Sequence, residues 1–136
     1  MLRVAPSLAR RHTLPQLRAF GNISQKGLAA ALKDTDGGAV VIDVREEHEH
    51  AATGALGAAA QHLPLRFVLE GGLALDAEEF EAEFGFAKPA ADAALIFSCA
   101  AGVRSAAAAG AAEAAGYSPE RVWNYRGGAQ EWFSSQ

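Results

Sequence analysis

Ala94-Leu95-Ile96-Phe97-Ser98, then Cys99-Ala100-Ala101-Gly102-Val103-Arg104, then an alanine-rich run from Ser105 to Ala115 form the stretch on which the fold turns. The first five residues are a short apolar run without polar alternation, which suits a strand covered on both faces of a sheet. The alanine run favours helix, and Gly116 is well placed to end it. A strand that passes through a short loop straight into a helix is the repeating unit of an α/β domain with a mainly parallel sheet.

The same grammar extends outward. Upstream, Ala39-Val40-Val41-Ile42, bounded by Gly38 and Asp43, reads as a second buried strand, followed by Asp43-Val44-Arg45 and a short polar helix over 46–52. Ser24 is positioned to cap a helix running through Leu32. His62-Leu63-Pro64-Leu65 predicts a short strand entering a helix, with Pro64 near its first turn. Asp76-Ala77-Glu78-Glu79 has capping-box spacing and opens a helix whose Phe80, Phe84 and Leu75 face inward. Its acids, Glu78, Glu79, Glu81 and Glu83, read as a solvated face rather than a metal site. Downstream, Arg121 to Tyr125 is a third strand candidate, and Gly127-Gly128 a tight turn into a last helix carrying Trp132 and Phe133. Trp123, Trp132 and the phenylalanines are assigned to the core, and no internal repeat is visible.

Composition bounds the rest. The 136 residues suit one compact domain, half of them are hydrophobic and 21% are charged, the balance of a globular chain. No apolar run approaches the roughly 18 residues of a spanning helix, so membrane insertion is not expected. Six of the twelve cations, Arg3, Arg10, Arg11, Arg18, Lys26 and Lys33, lie in the first 33 residues, which hold no acid. That pattern reads as an organelle-import presequence over residues 1–20, mitochondrial by its arginines, with a disordered basic tail on a cytoplasmic protein as the alternative. Residues 34–136 carry a net charge of −10, which repels phosphates and argues against nucleic acid as a partner.

The single cysteine cannot form an intramolecular disulfide, so its thiol is free. By composition alone such a residue is a small buried hydrophobe. Its position changes that reading, because ligands of parallel α/β sheets sit beyond the carboxyl ends of the strands. The following helix directs its N-terminal N–H groups and positive dipole end at the loop, favouring a thiolate or persulfide anion. Gly102 lets the backbone curl so that several N–H groups converge, and Arg104 adds a permanent positive charge. These parts predict an activated nucleophile at Cys99, served by the backbone of Ala100, Ala101, Gly102 and Val103 and by Arg104.

Taken in order, four segments resemble the rhodanese (thiosulfate sulfurtransferase) family in its single-domain form, over about residues 24–134. Asp43-Val44-Arg45-Glu46 is similar to its first signature, and Gly54 with His62-Leu63-Pro64-Leu65 to its second. Cys99-x-x-Gly102-x-Arg104-Ser105 is similar to its active loop, and Gly116-Tyr117 through Gly127-Gly128-x-x-x-Trp132 to its closing segment. The resemblance implies a three-layer α/β fold with a mainly parallel central sheet flanked by helices, and no resident cofactor or metal.

It further implies a mechanism in which Cys99 takes the outer sulfur of thiosulfate or a persulfide donor, holds it as a persulfide, and passes it to cyanide or a thiol. Glutathione or thioredoxin-like proteins are the expected acceptors. The N–H groups from Ala100 to Arg104 would surround the persulfide, while Asp43, Arg45 and Ser105 support the site structurally. A sulfur-carrier or interaction module without turnover is the alternative. Related cell-cycle phosphatases carry one more residue between Cys and Arg, so a phosphatase or arsenate reductase is the less favoured reading. Where the family shows Gly-His-Ile-Pro-Gly-Ala, this chain has Gly54-Ala55-Leu56-Gly57-Ala58-Ala59. Its active loop is apolar where thiosulfate-preferring members often carry extra cations, which points to a thiol-derived persulfide as the better donor.

Two lesser patterns carry no chemistry at this level. His48-Glu49-His50 reads as a solvated polar turn, because residues two apart on a helix face different sides. His62, at a strand start, reads as a satisfied core histidine.

Overall fold

A computed structural model describes residues 20–34, 36 and 38–135. Apart from Phe20, the basic segment expected to act as a presequence lies outside the described residues.

Among the described residues, five parallel strands form one sheet: β1 (Gly21–Ile23), β2 (Ala39–Asp43), β3 (Gln61–His62), β4 (Ala94–Ser98) and β5 (Val122–Tyr125). They pair in the order β1-β5-β4-β2-β3. β2 and β4 are in register from Ala39 beside Ala94 to Asp43 beside Ser98. That register sets Asp43-Val44-Arg45 next to the loop leaving β4, and Val44 N donates to Ser98 O at 2.8 Å.

Helices α1 (Gln25–Lys33), α2 (Glu47–Thr53), α3 (Leu65–Leu69), α4 (Ala77–Phe84), α5 (Val103–Ala114) and α6 (Gly128–Ser134), with short 3-10 turns at Gly72–Ala74 and Pro119–Arg121, accompany the sheet in the described chain. Alternation along the strands divides the core between two faces. Val41, Ile96 and Tyr125 pack with Leu28 of α1 and Ala129 of α6. Ile42, Leu95, Phe97 and Val122 pack with Val68, Phe80 and the alanines Ala108, Ala109 and Ala112 of α5. Each large apolar side chain buried in this way is worth about 1.5–3 kcal/mol. The result is the three-layer α/β architecture expected from the sequence. No helix among the described residues is long and apolar enough to cross a membrane.

The cap signals act as read, although of the capping box expected at Asp76 and Glu79 only the aspartate's half forms. Ser24 Oγ accepts from Gly27 N at 3.1 Å to start α1, and Asp76 Oδ1 accepts from Glu79 N at 2.8 Å to start α4. Pro64 stands immediately before α3. Three features differ from the sequence reading. β1 is an additional edge strand lying ahead of the residue 24 boundary, and three residues containing Asn22 are too short to show alternation. Helix α5 begins at Val103 rather than Ser105, because Gly102 adopts φ 90° and turns the chain into the helix two residues earlier. Of the aromatic side chains assigned to the core, Phe80 and Phe97 are fully buried, whereas Trp123, Trp132 and Phe133 only lean on the α1–α6 face.

Candidate active site

Cys99 follows the carboxyl end of β4 and is 1% exposed. Two clamps shape its loop. The N-terminal turn of α6 closes on one side, with Ala129 N donating to Cys99 O at 2.7 Å and Gln130 N to Ala100 O at 3.0 Å. In the same β5–α6 connection, the Arg126 backbone packs on Gly102, where a Cβ would stand 2.5 Å from the Arg126 carbonyl oxygen. A residue with φ 90° and no room for a Cβ has to be glycine.

The curl aims donors at sulfur. Gly102 N donates to Cys99 Sγ at 3.1 Å and Ser105 N at 3.3 Å, and Ser105 Oγ lies 3.2 Å away. Burial pushes the thiol pKa up. The Ser105 hydroxyl and the backbone N–H groups of Ser105, Ala101 and Gly102 outweigh it, so the thiol lies below its ordinary value. Ser105 is therefore in direct contact with the sulfur, closer to the chemistry than the supporting place expected for it. Val103 contributes the first residue of α5 and is 78% exposed.

Arg104 does not stand free over the loop. Its Nη1 and Nη2 donate to Glu49 Oε1 and Oε2 at 2.7 and 2.8 Å. Glu49 Oε1 also accepts from Glu46 N at 2.9 Å, at the start of α2. The bonds from Arg104 act against desolvation and, with the Glu46 N–H, hold the Glu49 carboxyl down at about 2. The expectation of a solvated polar turn at His48-Glu49-His50 is thereby corrected: Glu49 reaches the active loop, and His50 stacks on His62 with ring centroids 4.2 Å apart. Half-buried His62 holds the Arg45 carbonyl through Nε2 at 2.7 Å.

Asp43 and Arg45 form a buried pair, Nη2 to Oδ2 at 2.7 Å, with Nε 3.1 Å from both carboxylate oxygens. Arg45 also donates to Thr53 Oγ1 at 2.9 Å and to Gly54 O at 3.2 Å. It thus ties the end of β2 to the far end of α2, and so fixes the helix that carries Glu49. Sequence reasoning passed over two residues, Glu49 and Asn124. Asn124 is 3% exposed on β5, donates to Gly102 O at 3.1 Å, and accepts from Ser105 Oγ at 2.5 Å. The signal for it was a polar residue inside the run Val122-Trp123-Asn124-Tyr125, since a buried amide needs partners. A concavity of about 760 Å³ lined by Lys26, Leu32, Leu56 and Trp132 takes no residue from the Cys99 loop.

The Rhodanese-like domain family model matches residues 24–135. Among solved structures, the Saccharomyces cerevisiae single-domain sulfurtransferase RDL2 is similar at 28% identity, over 88% of this chain and 93% of that one, with a TM-score of 0.75. The human single-domain sulfurtransferase TSTD1 is similar at 28% identity, over 85% and 96%, with a TM-score of 0.72. An uncharacterised Saccharomyces cerevisiae protein is similar at 31% identity, over 85% and 92%, with a TM-score of 0.71. The search of curated proteins finds no match. Family match and neighbours agree on rhodanese-type sulfur transfer as the chemistry of the group, and the chain belongs to the rhodanese-like domain family.

Proposed function

We propose that this chain moves a sulfane sulfur through a persulfide on Cys99. The observation that carries the reading is the pair of backbone donors, Gly102 N and Ser105 N, converging on Sγ where a thiolate forms. The Cys99 thiolate attacks the outer sulfur of the donor, the donor's S–S bond breaks, and its inner fragment leaves with the bonding electron pair. From thiosulfate the leaving group is sulfite, and from glutathione persulfide it is glutathione thiolate. An acceptor thiolate then attacks the outer sulfur of the Cys99 persulfide, forming a new persulfide and restoring the Cys99 thiolate.

Because Arg104 is paired with Glu49, the loop offers a dianionic donor no free cation of its own. This supports a thiol-derived persulfide over thiosulfate, with glutathione or a thioredoxin-like protein as acceptor. The acid-free N-terminal segment supports import into mitochondria, tested by whether the mature cellular protein begins after about residue 20.

Intact-mass measurement after incubation with thiosulfate or glutathione persulfide tests the central step. A gain of one sulfur, absent in Cys99→Ser, is expected. No gain from any sulfane donor overturns the proposal. Turnover with a thiol acceptor separates an enzyme from a carrier that only holds the sulfur.

A further inference from the structure

Asn124 has its amide orientation set by its surroundings. Nδ2 donates to the Gly102 carbonyl at 3.1 Å, so Oδ1 faces the other way and accepts from Ser105 Oγ at 2.5 Å. Exchanging the two amide atoms would set Oδ1 against a carbonyl oxygen, two acceptors with no proton between them. The Ser105 hydroxyl oxygen is also 3.2 Å from Cys99 Sγ. Cys99, Ser105 and Asn124 thus form a buried chain of three polar groups.

A serine hydroxyl carries one proton. While that proton is on the Asn124 side, the contact between Ser105 and Cys99 needs the thiol's own proton, with S–H donating to Oγ. When Cys99 ionises, Ser105 can serve the sulfur only by turning its proton away from Asn124. The amide oxygen then loses its donor in a buried site, at a cost of about 1–3 kcal/mol.

We propose that Asn124 is a positioning residue for Cys99 that acts through Ser105: by holding the serine proton it favours the thiol over the thiolate in the resting site. The Ser105 hydroxyl, when it turns to the sulfur, and the backbone donors of Gly102 and Ser105 pull the other way, so Asn124 weakens the hydroxyl's contribution without abolishing it. In a persulfide the charge moves to the outer sulfur, and Ser105 keeps its proton on Asn124. The network therefore disfavours the bare thiolate relative to the states on either side of it. This inference rests on Cys99 being the reacting group, and not on which donor supplies the sulfur.

Cys99 is the chain's one cysteine, so ultraviolet thiolate absorbance reports it alone. The titration is run on the full chain, on Asn124→Ala, on Ser105→Ala and on the double variant, with circular dichroism to follow the fold. Asn124→Ala is expected to lower the thiol pKa by about one unit, tenfold in thiolate at pH values below both midpoints. Ser105→Ala is expected to raise it. In the Ser105→Ala background, Asn124→Ala is expected to change nothing.

A fall of equal size in both backgrounds overturns the proposal, because Asn124 would then act through Gly102. So does a rise, or no change, in the single variant. Should Asn124→Ala not fold, Asn124→Asp keeps the size and the acceptor facing Ser105. Its pKa rise is expected to be larger with Ser105 present than without, and equal rises overturn the inference. The titration uses no sulfur donor, so a chain that titrates as stated and takes up no sulfur refutes the sulfurtransferase reading alone.

Discussion

Arg104 and Glu49, 55 residues apart in sequence, meet in two hydrogen bonds of 2.7 and 2.8 Å that use both carboxylate oxygens. Such a two-bond geometry is the strongest form of an arginine–carboxylate contact. It neutralises the cation that the sequence placed in the active loop, leaving the resting loop to attract anions through its peptide N–H groups.

Glu49→Gln should therefore release the Arg104 charge toward the donor. The KM for thiosulfate is expected to fall roughly fivefold, as about 1 kcal/mol of pairing is redirected. Adding Arg104→Ala should cancel the gain. Steady-state kinetics with cyanide as acceptor measure both, and an unchanged KM in the single variant would mean that Arg104 does not sense the donor.

The same pair sets an acid-sensitive contribution to stability. Glu49 is held at about 2 in the folded protein against an ordinary value of 4.5. A depressed folded value stabilises above the unfolded one, so the contribution is whole above about pH 4.5 and is lost as pH falls toward about 2. With the side chain 26% exposed, screening limits it to about 1 kcal/mol. Urea unfolding of wild type and Glu49→Gln should differ near neutral pH, and the difference should shrink steadily on acidification.

Cys99 should react with iodoacetamide along a pH profile whose midpoint lies below that of a free cysteine. The direction follows from four donors outweighing the burial of the thiol. A midpoint at or above the free value would show that burial dominates and that the loop does not activate the sulfur.

Gly102→Ala tests the shape of the loop. The added Cβ meets the Arg126 carbonyl at 2.5 Å in a backbone region that costs a side chain about 1–2 kcal/mol, and crowding adds about 1–3 kcal/mol more. The urea midpoint is expected to drop accordingly, and sulfur loading of Cys99 to be lost with it. Retained loading at wild-type rate would show that the Gly102 turn is dispensable for holding the sulfur.

Arg45→Met leaves the Asp43 carboxylate buried and unpaired, at a cost of about 3–5 kcal/mol. The double variant Asp43→Asn/Arg45→Met should recover a large part of that loss. Thermal melts followed by circular dichroism distinguish this from a surface pair, whose removal would shift the midpoint little.

Read alone, the amino-acid sequence determined the alternation of strands and helices, the turn at Gly102 and the place of Cys99 after a strand. Each of these is written in neighbouring residues: an apolar run, a capping serine or aspartate, a glycine where the chain must turn. Only the tertiary structure decided what each charged or polar side chain meets. Arg104 was legible as a cation but not as the partner of Glu49, because the two come together only when α2 and α5 flank the same end of the sheet. Asn124 was legible as a polar residue in a strand, but its bonds to Ser105 and Gly102 exist only because β5 lies beside β4. Local chain preferences act over a few residues and show in the sequence. Electrostatic and hydrogen-bond partners depend on distances of about 3 Å between remote segments, which packing alone sets.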